Sequence, residues 1–214
     1  MLKRLFFLFF GLFLYGLGIV MTVKSNLGTG PWDAFHLGIT NHLPLTMGQV
    51  SQLTGILIIF FSLLLGVKPG FGTIANMYFI GLFIDLIMHS NLIATPKNLI
   101  YQLSLLLGGV MVIGWATFFY LSAAWGAGPR DGFMLGAITK TGWPVWKIRT
   151  VIEVTVSIMG YLLGGPVGIG TLVVAFTLGP SIQLAFTMIG KKAQDVKHED
   201  LGENWGKIKV WLRA

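Results

Sequence analysis

Two aspartates in this chain stand in the same short context. Asp33 closes the run Gly28-Thr29-Gly30-Pro31-Trp32-Asp33, and Asp131 closes Gly126-Ala127-Gly128-Pro129-Arg130-Asp131. A carboxylate in apolar surroundings can bind a cation, a proton or an amine. Here it can equally do no more than start a helix, because proline suits the first helical position and negative charge suits the first turn. The glycines either let backbone approach a solute or simply make the turn. Arg130 offers a guanidinium to a phosphate or carboxylate. Its counterpart in the other copy is Trp32, and the pair also reads as a sidedness signal, tryptophan at an outer interface and arginine at an inner one. His36 follows Asp33 by three residues, on roughly the same face of a helix; a lone histidine there reads as interfacial or as a ligand. The candidate solute-contacting set is Gly28, Gly30, Asp33, His36, Gly126, Gly128, Arg130 and Asp131.

Three further charged positions lie inside apolar runs. Asp85 needs an interior or wet surrounding, since a carboxylate costs about 2.5–3.5 kcal/mol at the centre of a span. It is the candidate coupling or gating carboxylate, with His89 one turn on as a partner. Arg149 and Glu153 have the spacing of a helical ion pair and read as structural. Ser51, Gln52 and Thr54, with Gln49, make one run polar at its start. The rest of the chemistry is sparse. With four histidines and no cysteine, no metal-ligating cluster is expected. No P-loop, dinucleotide fingerprint or nucleophile motif occurs, so neither a cofactor nor an enzyme is expected.

The elements that must carry these residues come from a repeat. The two motifs lie 98 residues apart, and the same offset pairs Gly38 with Gly136, Gly70 with Gly168, Gly72 with Gly170, Thr73 with Thr171 and Gly81 with Gly179. Such self-similarity marks an internal duplication. The medium is lipid: 54% of residues are hydrophobic, 11% are charged, and mean hydropathy is +0.77, whereas a soluble domain is about one quarter charged. Six apolar runs, roughly 5–24, 47–66, 72–90, 99–122, 145–164 and 170–190, approach the ~20 residues that cross a bilayer. They must be helices, because lipid satisfies no backbone groups, and they lack the alternation of a membrane barrel. The first follows Lys3 and Arg4 without a cleavage site and reads as an uncleaved span.

The expected fold is an all-α membrane protein: a first three-span unit over 1–92, a second over 93–190 and a basic tail over 191–214. Three spans per unit invert the second relative to the first, giving a 3+3 inverted repeat. Residues 31–42 and 129–140 are too short to span and read as half-helices, re-entrant or interfacial. With the N-terminus inside, 13 of the 15 lysines and arginines fall on the cytoplasmic side, and only Lys24 and Lys97 fall outside. Both termini are therefore expected in the cytoplasm. In the tail, Trp205, Ile208, Trp211 and Leu212 make an amphipathic helix on the inner leaflet or a solvated end. The +7 charge is spread between apolar runs, which argues against nucleic acid as a partner.

A resemblance supports the membrane reading. Arg4 with Phe6-Phe7-Leu8-Phe9-Phe10-Gly11, then Gly16-Leu17-Gly18-Ile19, then Lys24-Ser25-Asn26-Leu27 leading into the first motif, is similar to the bacterial YczE/YyaS/YitT membrane proteins. Gly70-Phe71-Gly72-Thr73 and Phe83-Ile84-Asp85 resemble the YczE-like branch. The likeness covers nearly all of residues 3–190 and implies a bacterial plasma-membrane location, with no substrate to carry over. The expected function is a small-solute transporter with its site between the half-helices. The alternative is a non-transporting scaffold or accessory protein. Expected partners are the lipid bilayer, an unidentified solute, and a second copy of the chain or another membrane protein.

Overall fold

A computed structural model describes residues 1–190 and 199–203; the tail positions Trp205 to Leu212 lie outside the described residues. Regular structure among the described residues is helical: α1 Leu2–Lys24, α2 Pro31–Thr40, α3 Met47–Leu64, α4 Phe71–His89, α5 Leu99–Ser122, α6 Pro129–Thr141, α7 Val145–Leu162 and α8 Ile169–Met188. Five of them, α1, α3, α4, α5 and α8, are long and apolar enough to cross a membrane. The sequence reading expected a sixth over 145–164. The helix there, α7, is 18 residues long but carries Lys147, Arg149 and Glu153 in its first half. Its charge sets it apart from the other five. The chain is a multi-pass helical membrane protein.

The short helices begin as their sequences dictate. Gly30 precedes α2, with Pro31 at its first position and Asp33 in its first turn; Gly128, Pro129 and Asp131 repeat this at α6. At 10 and 13 residues they fall short of a crossing. The Thr46–Gln49 capping box starts α3 as expected: Thr46 N–H donates to Gln49 Oε1 at 3.0 Å, and Gln49 N–H to Thr46 Oγ1 at 3.2 Å.

Small residues bring the long helices together. α1 lies along α5, α4 on α1, and α8 on α5. A Cβ at Gly11 would strike the backbone of Ala116 and Tyr120, one at Gly18 would meet Gly109, and one at Gly114 would fall on Ser181. Where apolar tails already solvate apolar side chains, close packing of this kind is what holds helices together.

The half-helices cross over. α2 packs on α7, and α6 packs on α3, so each leans on the other unit. The turns before them do the same. Gly170 N–H donates to Leu27 O at 2.7 Å, and Gly72 N–H donates to Trp125 O at 2.6 Å. These bonds are counterparts at the 98-residue offset. Gly28 (φ +102°) and Gly126 (φ +121°) lie in the left-handed region. A Cβ on the first would meet Gly168 and Thr171, and on the second Gly70 and Thr73. Glycine is therefore required there for both conformation and space. One correspondence fails. α3 packs closely on α4, whereas α7 rests on α2 and α6 and makes no comparable seam with α8.

Candidate functional site

The N-terminal ends of α2 and α6 meet inside the helical assembly. The Arg130 guanidinium carbon lies 4.7 Å from the centroid of the Trp32 ring. The two residues are each other's counterparts in the repeat. Where two copies of a unit meet, like faces like; two arginines would repel, and tryptophan against arginine makes a cation–π contact of about 0.5–2 kcal/mol instead. Reading this difference only as a sidedness signal misses the contact, because an offset says nothing about which copies touch.

Two cavities flank this contact. The smaller, about 80 Å³, is lined by His36, Ser51, Thr54, Gly55, Asn76 and Met77. The larger, about 150 Å³, is lined by Asp33, Arg149, Ile152, Glu153, Val174 and Ala175. Tyr15, Ile19, Tyr120, Arg130 and Asp131 border both. The walls correspond through the repeat: Ser51 to Arg149, Thr54 to Ile152, Gly55 to Glu153, Asn76 to Val174 and Met77 to Ala175, each 98 residues apart. The molecule thus holds one space twice, with neutral polar groups in one version and a charged pair in the other.

The two aspartates differ in their surroundings. Asp33 is 7% exposed, and its Oδ1 accepts no hydrogen bond among the described residues. Asp131 is exposed, and its Oδ2 accepts from Tyr120 Oη at 3.1 Å. The counterpart of Tyr120 is Thr22, a shorter side chain that bonds Thr29 at 2.9 Å instead. His36 is 1% exposed, and neither ring nitrogen has a hydrogen-bond partner among the described residues. It is an interior residue rather than an interfacial one. Arg130 forms no ion pair among the described residues.

The remaining candidates separate. Gly30 borders the larger cavity and Gly128 the smaller, whereas Gly28 and Gly126 line neither and sit at the interlocked turns. Arg149 Nε lies 2.9 Å from Glu153 Oε1, as the spacing predicts, and the pair lines the larger cavity. Asp85 lies outside both cavities. Its carboxylate accepts the Thr46 hydroxyl and, at 2.9 Å, the Gly48 N–H. It thereby ties the first turn of α3 to the last turns of α4. His89 is exposed and takes no part in this latch. Among the described residues, no cluster of three or more histidine, aspartate or glutamate side chains could hold a metal ion.

Residues 2–187 match the model of a family of unknown function, DUF6198, and the chain belongs to that family. It is 37% identical over 204 residues to the uncharacterised membrane protein YczE of Bacillus subtilis, covering 89% of this chain and 93% of that protein. An uncharacterised protein of Haemophilus influenzae is 31% identical over 189 residues, 88% of this chain and 86% of the relative. The B. subtilis protein YyaS is 31% identical over 169 residues, 76% of this chain and 82% of the relative. No solved structure matches the chain.

Proposed function

We propose that the protein is a small-solute transporter of the bacterial inner membrane. In this reading six crossings form two inverted three-span units, and both termini lie in the cytoplasm. α7 is the sixth crossing, with Arg149 and Glu153 turned to the larger cavity rather than to lipid. The excess of lysine and arginine on one side supports the orientation. The carrying observation is the pair of repeat-related cavities that meet at Trp32 and Arg130, one behind a packed seam and one behind a loose one. On this topology α3 begins and α4 ends at the outer face, so the Asp85 latch closes the outer side. α7 and α8 are joined outside, through residues 163–168, and their inner ends are apart. This is an inward-open carrier, and exchanging the two seams makes it outward-open.

The absence of cysteine allows a direct test. Thr54→Cys and Ile152→Cys place one thiol at counterpart walls of the two cavities. A carrier exposes both to a membrane-impermeant maleimide, each from one face, and a condition that protects one uncovers the other. A scaffold gives a fixed pattern, and fixed labelling under every condition rejects the proposal.

A further inference from the structure

Consider the charges around the larger cavity. Arg149 is paired with Glu153, and Asp131 accepts the Tyr120 hydroxyl. Two charged groups are left. Asp33 is buried, with no hydrogen bond to Oδ1 among the described residues, and Arg130, its guanidinium carbon 4.7 Å from the centroid of the Trp32 ring, forms no ion pair among the described residues. They line the same cavity yet do not pair with each other. Stacking occupies the face of a guanidinium and leaves its N–H edge for an acceptor. Residues from the first turns of both α2 and α6, Trp32 and Asp33 in one and Arg130 and Asp131 in the other, line this same cavity.

A buried charge without a partner is costly; that cost falls on the buried Asp33 and in smaller measure on the half-buried Arg130. A lone anion at Arg130 would leave Asp33 uncompensated, and a lone cation at Asp33 would leave Arg130 so. A molecule carrying both signs satisfies both. The aromatic and aliphatic walls, Trp32, Tyr15, Ile113 and Leu178, suit a short apolar body between the two ends. A cavity of about 150 Å³ admits a molecule on the order of benzene in size.

We infer that this cavity takes a small zwitterion, with its ammonium group donating to Asp33 and its carboxylate accepting from Arg130. The inference rests on reading the cavity as the solute site of the proposed transporter. The test uses the full chain in lipid nanodiscs. Four zwitterions, glycine, β-alanine, γ-aminobutyrate and L-valine, vary the charge spacing and the apolar body; butanoate and butylammonium each carry one charge alone. Binding is read by the rise in unfolding temperature with probe concentration. At least one zwitterion is expected to bind tenfold or more tightly than either single-charge probe. Arg130→Gln and Asp33→Asn should each remove at least tenfold of that affinity. Where either fails to fold, Arg130→Lys and Asp33→Glu serve, since both keep the charge and move it, and the preferred zwitterion should change with them. No binding by any zwitterion, or butanoate binding as tightly with no dependence on Asp33, overturns the inference. Reciprocal cysteine labelling with no zwitterion bound leaves transport standing and removes the solute class. Zwitterion binding with static labelling does the reverse.

Discussion

The α3–α4 and α7–α8 pairs are the same place in the two units, and the first is packed together while the second makes no comparable contact. The difference is written at a few positions. Gly48 sits so close to Gly81 that a Cβ on it would strike the Gly81 carbonyl, and Asp85 bonds across the contact. The counterparts are Trp146, Gly179 and Gln183. Trp146 is 68% exposed, and a Cβ at Gly179 would have nothing within 4 Å. Thr46, whose hydroxyl reaches Asp85, is replaced by Pro144, which has no hydroxyl. A duplication copies the architecture, and substitution at the contact decides which side holds. The α3–α4 seam is held by the bonds of Asp85, and the α7–α8 pair lacks those bonds and leaves the space at Gly179 unfilled.

Three experiments would break or sharpen that contrast. Asp85→Ala should act most strongly. It removes an acceptor from the Thr46 hydroxyl and the Gly48 N–H, at a cost of about 3 kcal/mol, since hydrogen bonds to a charged group contribute about 1.5–3 each. Denaturant unfolding in detergent measures the loss, and Thr54→Cys should become reactive from the outer face. If stability and labelling both stay unchanged, the latch is decorative. The next contrast is a pair: Gly48→Val should destabilise by about 1–3 kcal/mol through overpacking, whereas Gly179→Val should stay within about 0.5 kcal/mol, as surface changes do. Equal costs would mean that the two seams do not differ. Gly179→Val should nevertheless slow closure of the inner side, read as persistent reactivity of Ile152→Cys. The smallest effect belongs to Trp32→Leu, which removes a cation–π contact of about 1 kcal/mol; a double-mutant cycle with Arg130→Gln should recover a coupling of that size.

Parts of this were legible in the sequence for identifiable reasons. The half-helix starts were readable because proline, glycine and aspartate act locally, and Arg149 with Glu153 because four residues make one helical turn. The repeat was readable because most of its paired glycines, Gly28, Gly38, Gly70 and Gly72 with their counterparts, stand where a Cβ would collide, although Gly179 does not. The crossing of α2 onto α7 and of α6 onto α3 was not, since spacing along a chain does not say which unit a helix touches. Asp85 was marked by its cost in an apolar run, but its partners, Thr46 and Gly48, lie 39 and 37 residues away. His36 looked interfacial because it is alone on its short helix, but it is 1% exposed beside the cavity walled by α3 and α4. The run that becomes α7 reads as a span like the others by length and hydropathy, yet it carries Lys147, Arg149 and Glu153, of which Arg149 and Glu153 line the larger cavity.

The interlocked turns set a timetable for biogenesis. Leu27 and Gly28 find their partners only when Gly168 and Gly170 have been made, some 140 residues later. At about 5–20 residues per second of synthesis, the first half waits on the order of ten seconds in the bilayer with an unpaired turn and a half-helix lacking its bed. During that interval it lacks the contacts that hold its turn in the finished fold. Neither half should accumulate when expressed alone, while the two halves made together should find each other.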